Sequence, residues 1–188
     1  MGNYRRLFIV RKDLNMSKGK MSAQLAHCAE VYWLHQIKEE LFIPKDNNGL
    51  CYSDLILDKN IVDNYLLGSI TKTICQAKNK NQLMKAKELA LSAGLKEGKD
   101  FGFIRDLCRT ELTPENADGT TITAFWTAPI PDEIAHKISK KFNLYTDEQK
   151  KYKWIEIKNK ITCGKCGKEV SEITHFCPHC GAEMEIKE

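Results

Sequence analysis

The segment MSKGKMSAQLAHC (residues 16–28) follows the apolar run RRLFIV (residues 5–10), and together they decide the fold class. The apolar run predicts a buried strand, because aliphatic and aromatic residues are enriched in strands. The alanine-rich segment predicts a helix over about residues 22–40. Lys18 and Lys20 therefore fall at a strand-to-helix turn, which is where α/β proteins usually bind ligands.

The sequence up to residue 145 continues to alternate between strand and helix patterns. Alternating or β-branched segments predict three further strands, and an alanine- and leucine-rich segment that stops at Gly94 predicts a second helix. Pro131 predicts the start of a third helix, because its fixed φ suits a first turn and acidic residues follow it. The predicted strands are RLFIVR (6–11), ITKTICQA (70–77), DFGFIRD (100–106) and TTITAFWTA (120–128), and the second helix is KNQLMKAKELALSAG (80–94).

This order of elements, β-α-β-α-β-β-α, predicts an α/β domain with a small mixed sheet covered by helices. Residues 42–69 interrupt the order with turn signals (Pro44 and DNNG, 46–49) between short apolar patches, so we expect an irregular insertion there. The second helix is expected to bury one stripe of its surface. The predicted stripe consists of Leu83, Ala86, Ala90 and Leu91.

Length and composition are those of a globular protein. The chain has 188 residues, 42% hydrophobic and 29% charged, which is enough for one domain with a core and a small appendage. No apolar run approaches the roughly 20 residues of a membrane span, and the N-terminus lacks the pattern of a signal peptide. We therefore expect a cytoplasmic protein that does not enter a membrane.

The eight cysteines fall into two groups of four. One group lies in scattered apolar contexts and predicts buried thiols in a reducing compartment. The other lies in CGKCGKEVSEITHFCPHCG (163–181), where two Cys-x-x-Cys pairs are separated by ten residues. Two such turns predict tetrahedral sulfur coordination of one structural zinc. The scattered cysteines are Cys28, Cys51, Cys75 and Cys108, and the predicted ligands are Cys163, Cys166, Cys177 and Cys180.

The sequence is also compatible with alternatives to four sulfur ligands. A redox dithiol is the rival interpretation, although a thioredoxin-like motif does not come as a matched pair. His175 and His179 are spare candidate ligands. The sequence thus predicts three regions: an α/β domain over 1–145, a lysine-rich linker over 146–160 that ends in a strand, and a zinc ribbon over 161–188.

Charge is distributed unevenly around a net value of +4. Residues 1–40 carry +3, residues 71–99 and 136–160 carry +5 each, and residues 100–135 carry −5. Such runs are compatible with ordinary solvated faces, or with a nucleic-acid surface that surrounds carboxylate chemistry. The ribbon is itself acidic, and four thiolates on zinc add negative charge, so we expect it to stabilise or dock rather than bind phosphates.

Two groups of polar side chains are candidates for a site. Lys20, Gln24 and His27 are spaced to share one face of the first helix, and Lys18 adds charge at its positive end. Asp106 follows the third strand, as the lysines follow the first, so parallel strands would bring it to Lys20 or His27. The alternatives are a core histidine at His27 and a turn-capping carboxylate at Asp106.

Three segments of the chain carry a family resemblance, namely VRKDLNMSKGKMSAQLAHC (10–28), GLKEGKDFGFIRDLCRTEL (94–112) and GTTITAFWTAP (119–129). They resemble the archaeal and eukaryotic (type II) peptidyl-tRNA hydrolases, and the resemblance covers roughly residues 5–145. It implies a three-layer α/β/α domain around a four-stranded mixed sheet. The implied activity is hydrolysis of the ester between a peptide and the 3′ ribose of tRNA, without a catalytic cofactor.

The resemblance also implies the site residues. Since ester hydrolysis needs an activated water and a stabilised oxyanion, we expect Asp106 to orient or deprotonate the water, Lys20 to stabilise the oxyanion, and Thr110 or Thr121 to position the carbonyl or the water. The implied catalytic set is Lys20, His27, Asp106, Thr110 and Thr121, and the implied substrate contacts are Arg11, Lys18, Gln24 and Arg109. The loop after Asp106 departs from the family's Asp-Ala-Gly-Arg-Thr-Gln by Leu107, Cys108 and Glu111.

Other function classes remain open from the sequence alone. A non-catalytic RNA-binding protein would retain the fold and its basic face. An adaptor would use the ribbon to contact a protein partner, with the α/β domain as scaffold. Cys108 is a further candidate nucleophile, although no histidine accompanies it in the sequence. A homodimer is compatible with each of these classes.

Overall fold

The computed structural model describes residues 3–39, 43–44, 51–52, 55–146, 152–157, 160–164, 166–180 and 184–185. The chain divides into two compact units, Met1–Tyr145 and Thr146–Glu188. Each unit has its own cluster of buried side chains. Among the described residues, no helix is both long and apolar enough to cross a membrane.

The first unit contains alternating strands and helices. Its strands are β1 (Tyr4–Arg11), β2 (Ile43–Pro44), β3 (Cys51–Tyr52), β4 (Thr71–Ala77), β5 (Phe101–Asp106), β6 (Thr121–Thr127), β7 (Ile130–Pro131) and β8 (Asn143–Leu144). Its helices are α1 (Lys18–Glu39), α2 (Lys59–Ile61), α3 (Lys80–Ser92) and α4 (Asp132–Ser139), with a π-helical turn over Val62–Leu66.

The main sheet has the strand order β5-β6-β1-β4-β8, and β7 pairs separately with β1. β1 and β4 are parallel, with Arg5 opposite Thr71 at one end and Arg11 opposite Ala77 at the other. β6 is antiparallel to both β1 and β5, so β5 runs in the same direction as β1. The carboxyl ends of β1, β4 and β5 therefore lie at one edge of the sheet.

This arrangement confirms the predicted α/β architecture and refines its size. The four long strands form the expected mixed sheet, and the two-residue strands β7 and β8 extend it to six. Side chains alternate along β1, so that Leu7 and Ile9 pack with α3 and α4, whereas Phe8 and Val10 pack with α1. Both faces of the sheet are thus covered, which gives the three layers.

Helix α1 begins at Lys18, four residues before the predicted start. Gly19 lowers the helix propensity of this segment, so the sequence pattern does not predict the first turn as helical. Ser17 supplies the missing stabilisation, because its hydroxyl accepts a hydrogen bond from the Lys20 amide (3.2 Å) and its carbonyl accepts one from the Met21 amide (2.9 Å). Lys18 and Lys20 consequently lie on the first turn of the helix.

The buried stripe of α3 is narrower than predicted. Leu83, Ala86 and Ala90 are fully buried, as expected from their spacing, whereas Leu91 is 49% exposed. Leu91 lies one residue beyond Ala90, which rotates it about 100° away from the core. Asn79 caps this helix and Gly94 follows it with φ of 85°, so its predicted ends are confirmed.

The insertion is irregular, as predicted, in the parts that the structure describes. A two-residue ladder joins β2 to β3, and the π-helical turn places Tyr65 in the core. The predicted turn at residues 46–49 and the side chain of Cys51 lie outside the described residues. Cys28 and Cys75 are buried, as expected, whereas the prediction is wrong for Cys108, which is only half-buried because it lies in the loop after β5.

The second unit is a small sheet with the order β11-β10-β9-β12. Its strands are β9 (Tyr152–Ile157), β10 (Lys160–Cys163), β11 (Glu169–Val170) and β12 (Met184–Glu185). β9 lies within the segment predicted as a linker, and it pairs with β10 and β12. The compact ribbon unit therefore includes part of that segment.

Candidate active site and metal centre

A cluster of polar side chains lies at the carboxyl edge of the main sheet. Asp106 is the last residue of β5, and Lys20 and Gln24 project from the first two turns of α1. The Lys20 Nζ and the Asp106 Oδ2 are 2.6 Å apart, and the two side chains are only 15% and 10% exposed. Asp106 thus pairs with Lys20, one of the two partners that the sequence offered.

Besides the contact with Lys20, the Asp106 carboxylate accepts two further hydrogen bonds that fix its orientation. Oδ2 also accepts a hydrogen bond from the Gln24 amide group (2.8 Å), and Oδ1 accepts one from the Cys108 backbone N–H (2.8 Å). Burial acts to raise the pKa of Asp106, but the bonds from Lys20, Cys108 and Gln24 outweigh it and hold the pKa below its usual value. The carboxylate is therefore ionised at neutral pH.

Thr123 completes the cluster from inside the sheet. Its hydroxyl donates to the Gln24 side-chain oxygen (2.6 Å), so Gln24 links Thr123 to Asp106. The register of β5 and β6 shifts between Ile104 and Arg105, and Thr123 is the extra residue of this bulge. A bulge re-aims a side chain, here towards α1.

Thr123 is a site residue that the sequence analysis missed. The segment TTITAFWTA offers Thr121 and Thr123 as equivalent candidates, and only the position of the bulge distinguishes them. The Thr121 hydroxyl is used elsewhere, since it donates to the Thr113 carbonyl (2.8 Å) and accepts from the Glu115 amide (3.0 Å). These bonds hold the loop between β5 and β6.

The loop after β5 brings Thr110 to the same cluster. The Lys20 Nζ donates a hydrogen bond to the Thr110 hydroxyl (3.2 Å). Cys108 adopts a φ of 53°, which is uncommon for a residue other than glycine, and this conformation points its N–H at Asp106. The backbone of the loop is therefore shaped around the carboxylate.

The remaining predicted site residues occupy different positions. Lys18, His27 and Arg109 are exposed, with His27 on the turn of α1 after Gln24. Arg11 is buried, and its guanidinium donates to the carboxylates of Asp13 and Glu115 and to the Ile122 carbonyl. The structure thus brings Lys20, Gln24, Asp106 and Thr110 together and directs Arg11 and Thr121 to other partners.

Comparison with known families agrees with this architecture. The family model described as peptidyl-tRNA hydrolase PTH2 matches residues 4–145. The chain belongs to this family. The match covers the first compact unit, including every element that contributes to the cluster around Asp106. The family and the enzyme class predicted from the sequence are therefore confirmed.

Relatives of this PTH2-family chain in two archaea are named peptidyl-tRNA hydrolases. A peptidyl-tRNA hydrolase of Thermococcus onnurineus is 29% identical over 141 residues, which cover 74% of this chain and 95% of the relative. One of Methanococcus maripaludis is 24% identical and covers 75% and 98%. A solved protein of unknown function from Agrobacterium tumefaciens is 16% identical, with a TM-score of 0.44 over 78% of this chain and 100% of its own.

The four cysteines of the second unit converge as the spacing predicts. The sulfurs of Cys163, Cys166, Cys177 and Cys180 all lie within 4.8 Å of one another. The Cys163–Cys180 and Cys166–Cys177 sulfur pairs are 3.8 Å apart. Tetrahedral zinc with bonds of about 2.3 Å requires sulfur separations of about 3.8 Å, so the sulfurs fit this ion.

The local backbone supports the same interpretation. Gly167 follows Cys166 with φ of 69°, and its N–H donates to the Cys163 carbonyl (2.8 Å), which closes a tight turn around the first pair. A zinc-ribbon domain model matches residues 162–184. The PTH2-family unit is thus followed by a zinc ribbon.

Proposed function

We propose that the cluster around Lys20 and Asp106 hydrolyses the ester that joins a peptide to the 3′ ribose of tRNA. The observation that carries this proposal is the partly enclosed Lys20–Asp106 pair at the open edge of the sheet, in a chain of the PTH2 family. Hydrolysis adds water across the ester, so the peptide leaves with a carboxyl group and the tRNA regains its 3′ hydroxyl.

Lys20 is proposed to stabilise the negative charge that develops on the carbonyl oxygen. An ammonium group has three N–H donors, and the contacts with Asp106 and Thr110 account for two of them. The partial enclosure of Lys20 strengthens its interaction with an oxyanion relative to a fully hydrated lysine. Asp106 holds the ammonium in place.

Asp106 is also proposed to orient the attacking water. Each carboxylate oxygen accepts about two hydrogen bonds. Lys20 and Gln24 use both positions on Oδ2, and the Cys108 amide uses one on Oδ1. A water on the second position of Oδ1 would lie beside the carbonyl that Lys20 polarises. The lowered pKa favours orientation of this water over its full deprotonation by Asp106.

The other side chains have supporting roles in this proposal. Gln24 fixes Asp106 from α1 and is itself held by Thr123 of the sheet, and Thr110 fixes the Lys20 ammonium. The exposure of His27 suits a proton shuttle or a substrate contact better than a core anchor. Arg11 and Thr121 hold the loop that carries Thr110, rather than contacting the reacting atoms.

Exposed cations at the same edge are proposed to bind the phosphates of tRNA. Lys18 and Arg109 flank the cluster on α1 and on the loop after β5. Lys78 directly follows β4, whose carboxyl end lies beside that of β1. Lys72 lies at the opposite end of β4, where its ammonium sits 5.9 Å from the ring centre of Tyr65. Lys78 therefore lies near the site, whereas Lys72 lies at the opposite end of the strand.

Release of tRNA from N-acetylaminoacyl-tRNA tests the hydrolytic function directly. We expect the purified, zinc-loaded chain to release free tRNA and Asp106→Asn to lose about 100-fold or more, the range for positioned acid–base groups. Asp63→Asn is the matched control, because Asp63 forms an ion pair with Lys59 on the surface, outside the cluster. Wild-type chain that binds tRNA without releasing it would instead identify an RNA-binding protein.

The salt dependence of tRNA binding tests the phosphate contacts. We expect Lys78→Ala to weaken binding and to reduce the slope of log K against log salt by about one unit. Lys72→Ala should leave both quantities unchanged, although it removes the same charge. Equal effects of the two substitutions would show that net charge, rather than the edge near the site, determines binding.

Zinc is proposed to be a structural ion of the ribbon, bound by Cys163, Cys166, Cys177 and Cys180. A four-thiolate set leaves no open position for substrate, so the bound ion would stabilise the small sheet instead of taking part in hydrolysis. We expect one zinc per chain and loss of zinc in Cys177→Ser. Cys75→Ser, in the core of the other unit, should retain the full zinc content.

A further inference from the structure

The first turn of α1 contains a capping arrangement that is completed from another part of the fold. In a capping box, the N-cap hydroxyl binds the amide three residues on, and a Glu or Gln at that third position binds the N-cap amide in return. Ser17 is the N-cap here, and its hydroxyl binds the Lys20 amide as expected. Lys20 occupies the third position, so its side chain cannot accept the returning hydrogen bond.

Glu111 supplies the missing acceptor. Its Oε1 accepts a hydrogen bond from the Ser17 amide at 2.8 Å, although the two residues are 94 positions apart in sequence. The residue before it, Thr110, accepts a hydrogen bond from the Lys20 ammonium. Consecutive residues of the loop after β5 therefore contact both the backbone start and the side chain of the first turn of α1.

We propose that Glu111 is a positioning residue for Lys20, and this inference rests on the proposed hydrolytic function. Lys20 reaches Asp106 from α1, whereas Thr110 reaches Lys20 from the loop after β5. The Glu111–Ser17 bond ties that loop to the helix start, and so sets the distance between Thr110 and the ammonium. Without it, Lys20 retains Asp106 but loses a fixed partner on its other side.

The charge of Glu111 gives the proposal a second consequence. Its hydrogen-bond role needs only an acceptor oxygen, which the amide of glutamine also provides. Its negative charge lies at the start of α1, the helix whose first turn carries Lys18 and Lys20 and where phosphates of tRNA are proposed to approach, and so opposes binding. The positioning and the charge of this residue can therefore be separated by one conservative substitution.

The experiment compares Glu111→Ala, Glu111→Gln and Glu133→Ala for kcat, KM and thermal unfolding. Glu133 is the control, because it is an exposed glutamate in the first turn of a different helix, α4. We expect Glu111→Ala to lower kcat by about 10-fold, as for one lost positioning contact, with little change in unfolding temperature. Glu111→Gln should retain kcat and lower KM, and Glu133→Ala should match the wild-type chain.

Two results would overturn the proposal. A kcat for Glu111→Ala that equals the wild-type value would show that the link to Ser17 does not position Lys20. Equal losses of kcat in Glu111→Ala and Glu111→Gln would show that the charge matters instead of the hydrogen bond. Failure of the hydrolytic function itself is distinguishable, because the wild-type chain would then release no tRNA in the same assay.

Discussion

Two charged clusters lie at the same edge of the sheet, and they differ in how completely their cations are bound. Arg11 has five N–H donors, and contacts with Asp13, Glu115 and the Ile122 carbonyl account for all five. Lys20 has three donors, of which Asp106 and Thr110 account for two. Arg11, with all its donors used, stabilises the structure, whereas Lys20 retains one N–H donor that can bind a substrate oxygen.

The carboxylates of the two clusters differ in the same way. Glu115 binds Arg11 through both oxygens, and this bond is the largest cause of its lowered pKa. For Asp106 the largest influence is burial, which raises the pKa and is outweighed by several donors together. The Arg11 cluster thus resembles an ordinary structural ion pair, and the Lys20 cluster has the opposed influences that are common at reactive sites.

Replacing Lys20, which retains an unused N–H donor, should have the largest effect on activity. We expect Lys20→Met to reduce kcat/KM about 100-fold or more, because it removes the group proposed to stabilise the oxyanion. The unfolding temperature should change little, since Asp106 keeps its bonds from Gln24 and Cys108. Lys59→Met, in the exposed pair of the insertion, is the control and should leave both quantities unchanged.

Replacing Arg11, whose N–H donors are all used, should instead reduce stability more than activity. We expect Arg11→Met to destabilise the fold by about 1–3 kcal/mol, because it removes a bond to the buried Ile122 carbonyl and the charge-assisted bonds to Asp13 and Glu115. At temperatures where the variant is folded, kcat should stay within a few-fold of the wild-type value. Denaturant unfolding and tRNA release measured on one preparation separate the two effects. Loss of activity without loss of stability would place Arg11 at the reacting atoms instead.

The pH dependence of stability should also distinguish the clusters. The pKa values of Glu115 and Asp106 are both lowered in the folded state, so the unfolded chain binds more protons below about pH 5 and stability falls as pH decreases. We expect Glu115→Gln to flatten this dependence between about pH 5 and 3 more than Asp106→Asn does. The reason is that burial counteracts the lowering of the pKa less at Glu115 than at Asp106. Urea unfolding at a series of pH values measures the slopes. A larger effect of Asp106→Asn would contradict the ranking.

The smallest effect is expected at Cys108, which contributes its backbone to the Lys20 cluster. Glycine adopts a φ of 53° without strain, and the N–H that binds Asp106 is retained in Cys108→Gly. We expect a change in unfolding free energy below about 1 kcal/mol, since relief of strain is offset by the greater freedom of the unfolded chain. Turnover should stay within about 3-fold. A loss of 10-fold or more would support the alternative in which the thiol is a nucleophile.

The contrast between the clusters also explains what could be predicted from the sequence. The helix spacing of Lys20 and Gln24, and the matching positions of Lys20 and Asp106 after strands that run in one direction, follow from local patterns. The cysteine ligands follow from spacing alone. These parts depend on residues that are close in sequence or on elements with clear periodicity.

Other features depend on details that no local pattern specifies. The bulge that turns Thr123 towards Gln24 is set by the pairing of β5 with β6, so the sequence does not distinguish Thr123 from Thr121. The start of α1 is stabilised by Glu111, which lies 94 positions away from Ser17. The saturation of Arg11 by Glu115 depends on the path of the loop after β5. Each of these features requires tertiary structure.

The measurement that tests the central claim most directly is a double-mutant cycle on single-turnover hydrolysis of N-acetylaminoacyl-tRNA. It compares wild type, Lys20→Met, Asp106→Asn and the double variant. If the pair acts as one unit, each single variant loses about 100-fold and the double variant loses about the same, because each substitution disables the same centre. Losses that multiply to about 10,000-fold would show that Lys20 and Asp106 act independently, and rates near wild type in either single variant would contradict the site itself.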